Sequence, residues 1–170
     1  MSYPMSFPPQ GIVVAPHAPT HESGGRDETR NIEWLTALAD LGYSGDVSLV
    51  TVGEIVLAGD GLFLQNDGKY YKSDADAAAT MPVKVMALAG AAADAEVLVL
   101  HDGYYRNDTL YDWTPGAGVA NLLFADVNAG LFVQFAAKPA GAGDQVQVVG
   151  WIVNANQICF RPSLEIVEVS

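Results

Sequence analysis

Basic side chains are scarce in this sequence. Eight lysines and arginines stand against twenty aspartates and glutamates, a net charge of −12. Nucleic-acid binding draws its strength from cations gathered on one face, which displace the counterions of the phosphate backbone. The few cations here are scattered, so no nucleic acid is expected as a partner, and an anionic membrane is disfavoured for the same reason. The acidic excess serves solubility and keeps free copies apart. Cysteine is almost missing as well. Cys159 is alone, which excludes an intrachain disulfide, and between the apolar residues of "QICFRP" it reads as a small buried thiol rather than a nucleophile. No apolar run reaches the roughly 18 residues of a membrane-spanning helix. The start, "MSYPMSFPPQ", lacks both the positive charge and the apolar core of a secretory leader. Synthesis and assembly in a cytoplasm are therefore expected.

The familiar catalytic signatures are missing too. No G-x-G-x-x-G and no Gly-Lys-Ser/Thr follows a strand pattern. The glycine-rich "GAGV" and "GAGD" lie between strands without the helix that turns such loops into anion sites. "GYSG" at 42–45 does not have the G-x-S-x-G spacing of a nucleophile elbow. The sequence points away from an enzyme and from any cofactor.

What is present divides into three parts. Residues 1–30 hold Pro4, Pro8, Pro9, Pro16 and Pro19 with Gly11, Gly24 and Gly25, and one brief apolar run, "GIVVA". Proline fixes φ and cannot donate to a ladder, so this part reads as an extended anchoring arm. Residues 31–45 follow as a short helix and connector: Asn31 can cap it, Ile32, Leu35, Leu38 and Ala39 share a face, and Gly42 stops it. Residues 46–170 carry strand and turn signals. "DVSLVTV" alternates, and "GLFLQ-NDG-KYYKSD" has the Asn-Asp-Gly of a tight hairpin. "PVKVMALA" and "AEVLVLH" are further strands. "HDG-YYRND" repeats the Asp-Gly turn chemistry and would place His101 at a strand end. "NLLFADVNAGLFVQF" is a hairpin around Asn128 and Gly130, "GDQVQVVGWIVNANQICFRP" is two strands about an Asn-rich turn, and "SLEIVEVS" closes the pattern. Nine or ten short strands at hairpin spacing predict a mainly β fold: a compact antiparallel β-barrel or sandwich with an extended N-terminal arm and one short helix.

Few residues invite a chemical role. His17 and His21 in "HAPTHESGGRDE" stand four apart, but "HESGG" lacks the second histidine of H-E-x-x-H and Gly24-Gly25 breaks any helix. Two histidines are too few for a closed zinc site in one chain; copies around a symmetry axis could complete one. Asp74 and Asp76 lack the further oxygens of a calcium loop, because Ala77 to Ala79 interrupt. Asp108 and Asp112 near Trp113 suggest a sugar cleft, since aromatic rings stack on sugar rings, although "LYDWTPG" also reads as a strand ending in a turn.

"HAPTHESGGRDE" followed by "WLTALAD" resembles the H-x-x-T-H-x-x-G-G-x-D-E module of tailed-phage fibre and other virion proteins. "GDGLFLQNDGKYYKSDADAAATMPVKVMALA", then "GAGDQVQVVGWIV" and "ICFRPS", is similar to the small β-domains of phage capsid-cement, decoration and fibre proteins. The likeness extends over nearly the whole chain, except that "RNIEW" replaces the simpler linker usual after the Gly-Gly module. It implies a trimeric capsid decoration (cement) subunit on the outer shell of a virion, stabilising it and partnered by the major capsid protein and by copies of itself. In that setting Tyr3, Pro4, Phe7, Ile12, Val13, Val14, His17, His21 and Trp34 would contact the capsid or neighbours. The alternative it implies is a tail-fibre or head-fibre domain that binds a receptor or glycan, with Tyr104, Tyr105, Tyr111 and Trp113 as ligand contacts.

Overall fold

A computed structural model describes residues 38–170. The arm and all but the end of the expected helix lie outside the described residues. What remains of that helix, Leu38 to Leu41, is a turn, closed by a 2.9 Å bond from the Gly42 N–H to the Ala39 carbonyl.

The described residues are mainly β, as their alternation predicts, and form a curled antiparallel half-barrel. The strands are β1 (Tyr43–Thr51), β2 (Gly61–Leu64), β3 (Tyr70–Lys72), β4 (Val85–Ala87), β5 (Glu96–Arg106), β6 (Leu122–Ala125), β7 (Phe132–Gln134), β8 (Gln145–Val146), β9 (Val148–Asn154), β10 (Gln157–Phe160) and β11 (Val167–Glu168). Three single 3-10 turns accompany them, and among the described residues no helix is long and apolar enough to cross a membrane. β5 organises the sheet. β1 runs antiparallel along the whole of one edge, from Tyr43 opposite Tyr105 to Thr51 opposite Glu96. The other edge is shared, with β4 opposite Val99 and Leu100 and β10 opposite Gly103 to Arg106. The sheet therefore forks, with branch β4-β2-β3 on one side and β10-β9-β6-β7 on the other. The branches curl back and meet: Gly61 donates to the Gly130 carbonyl at 2.8 Å, and Gly130 to that of Ser73 at 2.7 Å.

The curl encloses one core of Met86, Leu100, Tyr105, Leu123, Phe132, Ile158 and Phe160. A second core, with Val52, Val56, Leu62, Val85, Val97 and Val99, covers the opposite face of β2, β4 and β5. Alternating side chains point to opposite faces, so β5 feeds both cores. Each such side chain buried is worth about 1.5–3 kcal/mol of transfer free energy.

The hairpin signals of the sequence hold in detail. Gly68 (φ +81°) closes β2 to β3 and Gly130 (φ +82°) closes β6 to β7. Asp67 locks the first of these: its carboxylate accepts from the Lys69 N–H at 2.9 Å and from the Tyr71 hydroxyl at 2.8 Å, which hold its pKa below the ordinary carboxylate value. β9 and β10 turn at Asn154 to Asn156 as expected.

The Asp-Gly of "HDGYYR" is a different matter. It is no turn: β5 runs through it without a break. Between Leu100, opposite Val47, and Asp102, opposite Asp46, His101 is an extra residue, a bulge in mid-strand rather than a strand end. The inserted residue keeps Leu100 and Tyr105 on the same core although their separation is odd. The His101 Nε2 lies 2.7 Å from Ser48 Oγ on β1. Strand β1 also begins at Tyr43 rather than at Asp46, and the described residues hold eleven strands where nine or ten were expected. "LYDWTPG" is irregular chain, not a strand.

Candidate functional site

The irregular "LYDWTPG" segment forms one wall of a cavity of about 260 Å3. Asn107 shapes that wall as β5 ends. Its side-chain oxygen accepts from Thr109 and Leu110 N–H at 3.1 and 2.9 Å, and its amide donates to the Tyr105 hydroxyl at 3.1 Å. The Asn154–Asn156 turn holds the wall from behind: Trp113 N–H donates to the Ala155 carbonyl at 2.8 Å, and the Asn156 amide to that of Tyr111 at 3.0 Å. The Tyr111 ring stands edge-on to Tyr105, 6.0 Å between centroids, and tilts against Trp113 at 5.4 Å. Burial raises the Tyr111 hydroxyl above the ordinary phenol pKa; its neighbour is the Met86 sulfur at 3.6 Å.

The facing wall comes from the Gly59–Asp60 turn and the Leu131–Phe132 end of the β6–β7 hairpin. Asp60 sits between two glycines. Gly59 takes φ +93°, and Gly130 lies so close that a Cβ there would stand 2.9 Å from the Asp60 carboxyl. The turn is stitched to β4 by bonds from Gly59 N–H to the Ala87 carbonyl (2.8 Å) and from Ala87 N–H to that of Asp60 (2.9 Å). Asp60 is 6% exposed, and its carboxylate accepts from the Leu57 N–H at 2.8 Å. Burial pushes its pKa up; the Leu57 N–H and the nearby charge of Lys72 offset only part of that, and Glu54 adds to it. Asp112 stands exposed at the mouth, beside the half-exposed Leu110 and Leu131.

Of the four aromatic residues expected to meet a ligand, the fold brings Tyr111 and Trp113 together on the cavity. Tyr105 is fully buried beneath Tyr111. Tyr104 lies on the opposite face of β5, across from Cys159 of β10. Asp108 is drawn away from the cleft into a two-pronged bond with Arg106, at 2.7 and 2.8 Å. Asp60, Leu131 and Phe132 were not singled out from the sequence; an acid held between two glycines after the apolar run "EIVLA" was the available sign. His17, His21, Tyr3, Pro4, Phe7, Ile12, Val13, Val14 and Trp34 lie outside the described residues. Among the described residues no three His, Cys, Asp or Glu side chains converge as a metal site. Asp74 and Asp76 share a loop in which the Asp74 carboxylate accepts the Asp76 N–H at 3.1 Å, and its negative charge raises the pKa of Asp76.

Neither known family models nor curated proteins match this chain.

The surface has a second distinctive part, along β1. No residue of β1 is buried, and among the described residues it pairs as a strand with β5 alone. Leu49 is 63% exposed, and Leu41, Tyr43, Ile55 and Leu57 in the same stretch of chain are exposed as well. Leu49 lies directly opposite Leu98, whose carbonyl accepts from Leu88 N–H, so leucines form a row across the sheet at the rim of the enclosed core.

Cys159 is fully buried, and its thiol pKa is pushed up to about 12, by burial first and then by the charge of Asp102. We expect no alkylation of the native protein by iodoacetamide at pH 8 over hours and stoichiometric alkylation in denaturant, read by mass spectrometry. Alkylation of the native protein at the rate of a free thiol would contradict the packing of β10.

Proposed function

We propose that this chain is a structural subunit of a phage virion, a decoration or cement protein that clamps the outer shell through residues 1–30 and presents the β-domain outward, in contact with copies of itself as a trimer. The supporting observation is the set of exposed apolar side chains Leu41, Tyr43, Leu49, Ile55 and Leu57, on and beside the edge strand β1, which has no buried residue. Single exposed leucines need no explanation. Gathered around an edge strand they invite contact with other chains, which proteins ordinarily prevent by charges, prolines or cover. In sequence these residues follow soon after residues 1–30, and a shell or a neighbouring copy would cover them. The strongly acidic remainder keeps free subunits apart until they reach that shell.

The test uses shells lacking this subunit, mixed with the full chain or with residues 31–170. The full chain should co-sediment to saturation. The shortened chain should retain the β-type circular dichroism of the full one yet lose at least nine-tenths of its binding. Full occupancy by the shortened chain would sink the proposal.

A further inference from the structure

The cavity between the Gly59–Asp60 turn and the irregular segment after β5 has walls of two kinds. Tyr111, Trp113 and Phe132 bring aromatic rings, and Leu110 and Leu131 an apolar rim. The charge is acidic, from Asp60 and, at the mouth, Asp112; among the described residues no lysine, arginine or histidine lines the cavity. Asp60 is 6% exposed, and a buried carboxylate without a counter-charge is costly. Its Oδ2 accepts from the Leu57 N–H. Its Oδ1 has no hydrogen-bond partner among the described residues, and it is not shut off from solvent as the Asp102 Oδ1 is. The ion pairs of the described residues do not include Asp60, and Lys72 acts on it through charge alone. That negative charge is felt on the facing wall, where it adds to the rise of the Tyr111 hydroxyl pKa. An apolar cleft with charge of one sign focuses its field on whatever enters.

We propose that this cavity binds a primary alkylammonium group, the end of a lysine side chain or of a free alkylamine. The alkyl stem packs on the leucines and rings, as lysine stems do on apolar surface, and the ammonium meets the Asp60 carboxylate among aromatic neighbours that favour a cation. Other chemistries fit less well. With Oδ2 taken by the Leu57 N–H, Asp60 has one oxygen to offer, which suits a compact charge with three donors better than the two-pronged fork of a guanidinium. A quaternary ammonium has no N–H to give that oxygen. A metal ion finds no third ligand, since among the described residues no three His, Cys, Asp or Glu converge. Anions meet Asp60 and Asp112 with like charge, and a neutral ligand leaves Asp60 without a counter-charge. At about 260 Å3 the cavity falls just below the usual range for drug-sized ligands, which suits one side-chain-sized group. The proposal rests on the β-domain alone, and its failure would leave the shell-binding reading untouched.

The test is titration of the isotope-labelled full chain at neutral pH and constant ionic strength, to about 50 mM ligand, a range that resolves millimolar dissociation constants. The probes are n-butylammonium chloride and Nα-acetyl-lysine N-methylamide. The backbone N–H signals of Leu110, Tyr111, Trp113 and Leu131 should shift and saturate with n-butylammonium. Saturation by the lysine derivative as well assigns the site to a side chain, and saturation by n-butylammonium alone assigns it to free amines. Tetramethylammonium and n-butylguanidinium should bind more weakly, and n-butanol should leave the signals in place. Asp60→Asn keeps an oxygen for the Leu57 N–H but removes the charge, and should weaken n-butylammonium binding about tenfold or more, the loss typical of a hydrogen bond between charged groups. No saturating shift with n-butylammonium would overturn the proposal, as would an equal or stronger response to n-butanol, tetramethylammonium or n-butylguanidinium. So would undiminished binding by a folded Asp60→Asn chain. Should Asp60→Asn not fold, the exposed Asp112→Lys decides: a loss of about threefold or more from the reversed charge at the mouth upholds the proposal, and undiminished binding overturns it.

Discussion

Alanine at Gly103 is expected to cost about 4 kcal/mol or more, enough to leave much of the domain unfolded at 37 °C. Gly103 of β5 faces Gly45 of β1 close to the bulge at His101, and both take φ close to +150°. A Cβ on Gly103 would sit 2.1 Å from the Ser44 carbonyl oxygen and 2.7 Å from the Gly45 Cα. Those are backbone atoms of a paired strand, so relief requires the two strands to part. The same contact exists in reverse, since a Cβ on Gly45 would stand 2.1 Å from the Asp102 carbonyl. Gly118→Ala provides the comparison: φ is +58° there and no atom lies within 4 Å, so about 1 kcal/mol of backbone strain is all that is expected. Urea titration of both variants measures the difference. A Gly103→Ala chain as stable as Gly118→Ala would mean that β1 and β5 do not approach as described.

The second large effect is expected at Gln147, a fully buried amide between β8 and β9. Its oxygen accepts from Val83 N–H at 2.8 Å, and its nitrogen donates to the Val83 carbonyl at 3.1 Å and to the Ser163 carbonyl at 2.6 Å. One side chain thereby fastens the segment before β4 and the segment after β10 to the same place. Leucine fills nearly the same volume but strands three backbone groups, each worth about 1–3 kcal/mol when left unpaired and buried. We expect Gln147→Leu to lose about 3–5 kcal/mol in urea titration, and its C-terminal residues from Ser163 onward to become the first site of limited proteolysis. Gln147→Glu keeps the acceptor for Val83 N–H but loses both donated bonds and buries a charge, so it should be no better than leucine at neutral pH. A loss below about 1 kcal/mol for leucine would show that water replaces these bonds.

Much of this architecture was legible in the residues because hairpins are local. Asn-Asp-Gly and Asn-Ala-Gly supply positive φ within a few residues of the strands they join, and both turns form where they were expected. Asp102-Gly103 carries the same local signal with a different cause. Its glycine serves a close approach by a strand that lies far away in sequence, and nothing nearby marks that need. The ligand-facing aromatics show the same division. Tyr111 and Trp113 stood out because they are large and adjacent to acids, yet whether a tyrosine meets the cavity depended on which face of β5 it took and on where β5 ended. Tyr104 and Tyr105 were separated by that alternation alone. Asp60 escaped notice because its burial is set by Gly130 and Phe132, contributed by a hairpin distant in the chain.

The fork at β5 also sets an order of events during synthesis. One end of an edge of that strand, Gly103 to Arg106, is completed by Gln157–Phe160, close to the end of the described chain. Until those residues leave the ribosome, Gly103 to Arg106 have only β1 beside them, and the curl that encloses the larger core cannot shut. Pairings so distant in sequence make for slow folding and a long-lived open edge. The proline-rich segment and the exposed leucines around β1 are therefore made well before the head can close. Each nascent chain passes through a period in which that edge is open, and repulsion among its many acidic side chains opposes association of copies during it.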